Sequence, residues 1–190
     1  MKKFLVAVLI AAIALVPALA QDNTPDAGSL GFTANVSNGY YRVGAVYHVT
    51  DVFALRPWAG FSTKSTSLDD IYGYDAEKNS YLNLGSDFLY EMKLADSFLL
   101  GLGGQISYSN STNTKEYPTD DLVTTTTSFG IGALASAQYF FNPVFGIYAD
   151  VGLGMQKHTE NVDNGTTDYG YDDTTFGLTT SSLGVVFYVK

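Results

Sequence analysis

The stretch from Phe129 to Gln156 constrains the fold of this chain more than any other. In its first arm Phe129, Ile131, Ala133, Ala135, Ala137 and Tyr139 fall on one face, against Ser128, Gly130, Gly132, Leu134, Ser136 and Gln138. Phe140-Phe141-Asn142-Pro143-Val144 reads as a turn. In the second arm Phe145, Ile147, Ala149, Val151, Leu153 and Met155 oppose Gly146, Tyr148, Asp150, Gly152, Gly154 and Gln156. Two-residue alternation over about ten residues per arm is the length a tilted strand needs to cross bilayer hydrocarbon. One face is apolar and the other is small or polar, with a carboxylate in its middle. The stretch therefore reads as one hairpin of a closed membrane barrel.

The N-terminus reads as a targeting segment over residues 1–20. Lys2 and Lys3 precede an apolar run, Phe4 to Val16, and Ala18-Leu19-Ala20 is a small-residue cleavage site before Gln21. Residues 21–190 then suit one domain. The chain carries a formal net charge of −9, and losing Lys2 and Lys3 makes it more acidic still. Nucleic-acid binding needs a basic footprint and is not expected. With no cysteine, disulfide staples, a lipid attached through a cysteine, and thiolate metal sites are excluded. Only 15% of residues are charged, low for a soluble acidic domain, whereas there are 14 Tyr and 12 Phe.

The rest of the chain repeats the same pattern. After a polar leader, Gln21 to Gly28, expected to be loose, Leu30, Phe32, Ala34 and Val36 share a face. Asn38-Gly39 is a strong hairpin turn signal. Tyr41, Val43, Ala45, Tyr47 and Val49 then oppose Arg42, Gly44, Val46 and His48. Beyond the tight turn Thr50-Asp51-Val52, Phe53, Leu55, Pro57, Ala59 and Phe61 oppose Ala54, Arg56, Trp58, Gly60 and Ser62. Pro57 cannot donate to a ladder, so a bulge is expected there. The next pair sets Leu82 to Met92 and Phe98 to Tyr108 around a turn at Leu94-Ala95-Asp96. Polar loops are expected at Thr63–Ser80, Ser109–Val123 and Lys157–Asp173. In the final strand Leu183, Val185, Phe187 and Val189 alternate, but Phe176 and Leu178 are out of phase, which calls for a bulge or a late start. Eight strands result. Short turns at one end and longer loops at the other are the transmembrane pattern, and an even number puts both termini on the short-turn side.

Alternation alone does not say which face is inside, so a secreted, soluble calycin-like barrel is the structural rival. The aromatics favour the membrane. Near the short turns the apolar face carries Phe32, Tyr47, Phe53, Tyr90, Phe98, Tyr139, Phe145 and Phe187, one per strand. Near the long loops it carries Tyr41, Phe61, Tyr108 and Phe129. Two aromatic rows around an aliphatic band are what headgroup interfaces select. The fold class expected is all-β, an eight-stranded antiparallel up-and-down transmembrane β-barrel.

In this architecture, and in a final strand ending Val185-Val186-Phe187-Tyr188-Val189-Lys190, the chain resembles the small outer-membrane barrels of the OmpA, OmpX and opacity-protein type. Members of that type end on an aromatic residue; here Lys190 is last, and Phe187 or Tyr188 takes that place. The resemblance implies residence in a Gram-negative-type outer membrane, contact with its lipid, and insertion by the barrel-assembly machinery. No peptidoglycan-binding domain is expected after the barrel. One activity is not implied, since members act as adhesins, membrane-stabilising proteins, small pores or lipid-modifying enzymes.

Two groups of residues are candidates for function. The lumen face carries Arg42, Arg56, Asp87, Glu91 and Asp150. Counting from the short turns places Arg56 level with Glu91, and Arg42 level with Asp87 and Asp150. Such charges form either a plug of ion pairs or the lining of a narrow gated pore. The loops carry Asp69, Asp70, Asp120, Asp121, Asp172 and Asp173, with Asp163 and Asp168 beside them, and Tyr72, Tyr74, Tyr117, Tyr169 and Tyr171. Tyr among Ser, Thr, Asn and Gly is a contact-surface composition, suited to an extracellular ligand or host surface. No twelve-residue calcium loop is present, and neither cofactor nor metal is expected. An enzyme would need His, Ser and an acid at the outer rim. His48 lies at the wrong end and His158 reads as an exposed loop residue, so the chain is read as a non-enzyme. The reading is a monomeric outer-membrane barrel with a structural or surface-interaction role; the alternatives are a small cation-preferring pore and the soluble barrel.

Overall fold

The computed structural model describes residues 23–37, 40–67, 76–117, 121–163 and 168–189. The targeting segment, the Asn38-Gly39 turn, Asp69, Asp70, Tyr72, Tyr74, Asp120 and Lys190 lie outside the described residues. The described residues form eight antiparallel strands: β1 (Leu30–Ser37), β2 (Tyr40–Thr50), β3 (Phe53–Ser67), β4 (Ala76–Ala95), β5 (Phe98–Glu116), β6 (Leu122–Asn142), β7 (Phe145–Asp163) and β8 (Asp168–Val189). Each pairs with the next and β1 closes on β8, so the sheet is a closed up-and-down barrel.

The apolar face points outward. Phe32, Tyr47, Phe53, Tyr90 and Phe187 in the lower row are exposed, as are Tyr41, Phe61, Tyr108 and Phe129 in the upper one, which Phe176 joins. Leu102, Ile131, Val151 and Leu183 are exposed between the rows. Polar side chains point inward, so the soluble barrel, whose apolar face would be inside, is not what forms. At the base Phe141, Phe145 and Phe187 pack ring against ring, with centroids 5.4 and 4.8 Å apart.

The strands run far past the upper row. β8 has 22 residues and β6 has 21, about twice what a bilayer crossing takes. The segments expected to be long loops are therefore largely strand over their described residues: β3 reaches Ser67, β4 starts at Ala76, β5 reaches Glu116, β6 starts at Leu122, β7 reaches Asp163 and β8 starts at Asp168. Above the membrane both faces are wet, so apolar alternation stops although strand pairing does not. Thr124 to Thr127 show it: they carry no alternating pattern, yet β-branched Thr suits a strand, and all four pair with β5.

β1 and β2 do not share in this extension. Their uppermost pair is Ser37 with Tyr40, and β2 meets β3 no higher than Arg42 with Gly60. Above that level Phe61–Ser67 of β3 and the upper half of β8 have no ladder to each other among the described residues. Among the described residues the wall is notched over the β1–β2 hairpin.

Three local expectations meet different outcomes. The bulge at Pro57 does not form. Gly44 faces Trp58 above it and Tyr47 faces Leu55 below it in one unbroken register, while Pro57 itself pairs with Ser86 on β4. The missing N–H costs a rung but needs no extra residue; the register shift lies lower, between His48 and Thr50. The bulge in β8 does form, between Gly152 and Leu153 of its partner, with Thr179 and Thr180 both buried. Over its described residues the leader is not loose. Asn23 N donates to Asp96 O, Gly28 N donates to His48 O and Ala27 N donates to Asp51 Oδ1, so the leader ties two short turns together across the base. Gly28 takes φ of +83°, a conformation that a Cβ would strain.

Candidate functional site in the barrel lumen

The lumen is built in layers. At the base lies an apolar cluster of Ala54, Leu89, Leu99, Phe140 and Val186, all 5% exposed or less. Beside it His48 contacts Tyr188 OH through Nε2 at 2.7 Å, and its Nδ1 is 3.1 Å from Glu91 Oε2, close but not aligned as a hydrogen bond. Gln138 Nε2 donates to Glu91 Oε1 at 2.6 Å.

The next layer centres on Arg56. Its Nε donates to Asp87 Oδ2 and its Nη2 to Asp150 Oδ2, both at 2.9 Å. Asp87 Oδ1 accepts from Trp58 Nε1 at 3.1 Å and Gln105 Nε2 at 3.0 Å, and Asp150 Oδ2 accepts from Ser182 Oγ at 2.8 Å. Arg56 also lies over the Tyr148 ring, 4.5 Å from its centroid. Strand register dictates this set: Arg56 faces Asp87, Asp87 faces Gln105, and Asp150 faces Ser182. Glycine makes room for the rings. A Cβ at Gly85 would run into Trp58, and one at Gly184 would sit 2.6 Å from Tyr148. Arg56, Asp87, Glu91 and Asp150 are all 4% exposed or less, so excellent pairing is needed to offset their desolvation.

The pairings differ from those expected. Arg56 meets Asp87 and Asp150, not Glu91, and Glu91 meets His48. Arg42 makes no ion pair with a described residue; it stacks on Trp58, 4.0 Å from the ring centroid. Counting from separate turns ignored the stagger that tilted strands impose.

Above this layer is a polar cavity of ≈ 240 Å³, lined by Tyr40, Arg42, Tyr81, Asn83, Gln105, Ser107, Ser109, Ser128, Gln156, His158, Thr179 and Thr180. His158, read from sequence as an exposed loop residue, is in its wall, where Nδ1 contacts Ser128 Oγ at 2.7 Å. Its other nitrogen faces Thr175 Oγ1 at 3.4 Å. Among the described residues no carboxylate bonds to this imidazole.

Of the acidic and aromatic surface residues, those described lie on the outer strand extension or its edge. Tyr169 and Tyr171 are exposed on β8, and Asp121 is exposed just before β6. Lys157 lies 2.9 Å from Asp172, whose carboxyl is held below the usual carboxylate range by that lysine and by Thr159. Glu77 is likewise lowered, by Asn113 and Asn79. Tyr171 is raised because its hydroxyl donates to Glu160. Asp173 is also exposed on β8. No group of three or more acidic or histidine side chains that could hold a metal occurs among the described residues.

No protein-family profile matches the chain, and no curated protein matches it. Solved structures do. A major outer membrane protein from Thermus thermophilus superposes with a TM-score of 0.54 at 15% identity, covering 84% of this chain and 99% of that one. The N-terminal β-barrel domain of Pseudomonas aeruginosa OprF gives 0.43 at 15% identity, covering 87% and 100%. Ail, the attachment invasion locus protein of Yersinia pestis, gives 0.40 at 13%, covering 85% and 95%. By its closed eight-stranded ring, its outward apolar girdle and its likeness to the Thermus protein, this chain has the fold of the small outer-membrane β-barrels.

Proposed function

We propose that the protein is a monomeric outer-membrane barrel, exported by the cleaved segment 1–20, whose lumen is a structural plug and whose role lies on its outer strand extension. The filled lumen carries the reading. A conducting pathway would leave its charged lining wet, whereas Arg56, Asp87 and Asp150 are buried against one another, Glu91 is buried beside His48, and Phe140 at the base is 0% exposed. The work is then left to the extension, a wall rich in Thr, Ser, Asn and Tyr above the upper aromatic row. Exposed Tyr169 and Tyr171 supply rigid contact area at low entropy cost, and the hydroxyls and amides supply adaptable hydrogen bonds. An extracellular ligand or host surface is the partner this composition suits.

The test combines two measurements on protein in lipid. Planar bilayers with the purified barrel are expected to show no steady single-channel steps. Nanodisc-embedded protein is expected to be retained on laminin or collagen surfaces, and a variant with residues 160–171 replaced by a short Gly-Ser turn, which removes Tyr169 and Tyr171, is expected to lose that retention. Regular cation-selective steps would replace this reading with the pore. Equal behaviour of full-length and trimmed proteins on both surfaces would remove the recognition role.

A further inference from the structure

Arg42 forms a cationic floor to the cavity above the Arg56 layer. Arg42 is 7% exposed, and its Nε has no hydrogen-bond partner among the described residues. Its planar face is occupied by Trp58 at 4.0 Å. Stacking uses the face of a guanidinium, and on the edge of Arg42 it leaves Nε as a donor for a planar or tetrahedral oxyanion. Arg56, one layer below, shows the contrast: two carboxylates take its edge. Asp87 and Asp150 are engaged by Arg56 and not by Arg42. A buried charge with open donors is a costly thing to keep unless something completes it.

The rest of the lining narrows the ligand. It contains no carboxylate. Asn83 Oδ1 is a second buried atom without a partner among the described residues, and it is an acceptor. Its amide nitrogen donates to Tyr81 OH at 2.9 Å, and Tyr81 stacks on Tyr40 with centroids 4.3 Å apart. A ligand that satisfies both open atoms must present an oxyanion to Arg42 and a hydroxyl donor to Asn83. At ≈ 240 Å³ the space falls below the roughly 300–1,000 Å³ of drug-sized sites, which limits the occupant to about one sugar ring. Tyr40 and Thr180 place the cavity beside the notch over the β1–β2 hairpin.

We propose that this vestibule binds a small polyhydroxylated anion, its phosphate or carboxylate on Arg42 and a hydroxyl on Asn83. The group arrives either as a free sugar phosphate or sugar acid, or as a lipid headgroup of the same chemistry entering through the notch. The inference stands whether or not the extension binds a host surface.

Trp58 is the single tryptophan, so its fluorescence reports on the stacked Arg42 directly. The full chain in phosphatidylcholine nanodiscs is titrated with glucose 6-phosphate and, separately, with glucose. A saturable change with glucose 6-phosphate is expected, at least about tenfold tighter than with glucose and abolished in Arg42→Gln. Nanodiscs containing phosphatidylglycerol separate the sources. A shifted starting spectrum and a weakened response there mark the headgroup as the occupant, and an unchanged response marks the soluble anion. Should Arg42→Gln fail to fold, Ser107→Leu fills the cavity with Arg42 intact and is expected to abolish binding too. The proposal is overturned if glucose 6-phosphate gives no saturable response and the two lipid compositions are indistinguishable. A response that survives both substitutions overturns it equally.

Discussion

Arg56 and Asp87 face each other across β3 and β4, joined at 2.9 Å with 3% exposure each, and the same guanidinium reaches Asp150 on the far wall. One side chain thereby ties three strands across the lumen. Arg56→Met should cost about 3–5 kcal/mol, because it strands two buried carboxylates. Adding Asp87→Asn and Asp150→Asn to that variant should recover most of the loss. Urea unfolding in detergent micelles, followed by the heat-sensitive gel shift, measures both. Equal instability of the single and triple variants would show that shape, not charge, is what the layer needs.

Gly85 is where the Trp58 ring lies against the opposite strand. Gly85→Val should cost about 1–3 kcal/mol by overpacking and lower the folded fraction on refolding. Gly104→Ala meets only Gly132 O at 3.6 Å, an ordinary contact, and should change neither. The same unfolding assay compares them.

The girdle sets a depth-dependent rule. Val151 is 54% exposed between the aromatic rows, and Val151→Arg should cost about 2–4 kcal/mol in a bilayer. Thr125 lies on β6 above the upper row, and Thr125→Arg should be tolerated. Unfolding in lipid vesicles distinguishes the two; equal tolerance would mean that this face does not meet hydrocarbon.

On the outer extension Asp172 should titrate below an ordinary aspartate by NMR, and Lys157→Met should raise its midpoint. Because the folded carboxyl is lowered relative to the unfolded one, its stabilisation is complete above the unfolded pKa. It fades as pH falls through the folded value. Glu77, held by Asn113 and Asn79, carries the same sign. Hydrogen exchange in the upper parts of β4 and β8 should therefore quicken on acidification before the membrane-spanning parts respond.

What could be read in advance follows the solvent. Between the aromatic rows one face meets lipid and the other a packed lumen, so residues such as Val43, Arg42, Leu102 and Asp150 announce their sides. Above the rows both faces are wet, and Thr124–Thr127 or Asn110–Thr114 look like loops although they are ladders. The sequence shows each lumen charge singly but not which meets which, because partners depend on stagger that local counting does not supply. His48 with Glu91, and Ser128 with His158, lie far apart in the chain, and only register brings them together. The open edge of Arg42 was invisible for the same reason, since its nearest neighbour proved to be an aromatic face.

The paired threonines of β8 give the chain something akin to a second frameshift that restores a reading frame. Below Thr179 the odd-numbered residues face out; above it Phe176 and Leu178 do, so the strand is written in two phases. Without the extra residue, Thr175 and Gly177 would be turned to the outside and Phe176 and Leu178 to the lumen. Grafting a foreign rim onto this barrel requires a cut above Thr179, and a one-residue deletion there would scramble every side chain between it and the tip.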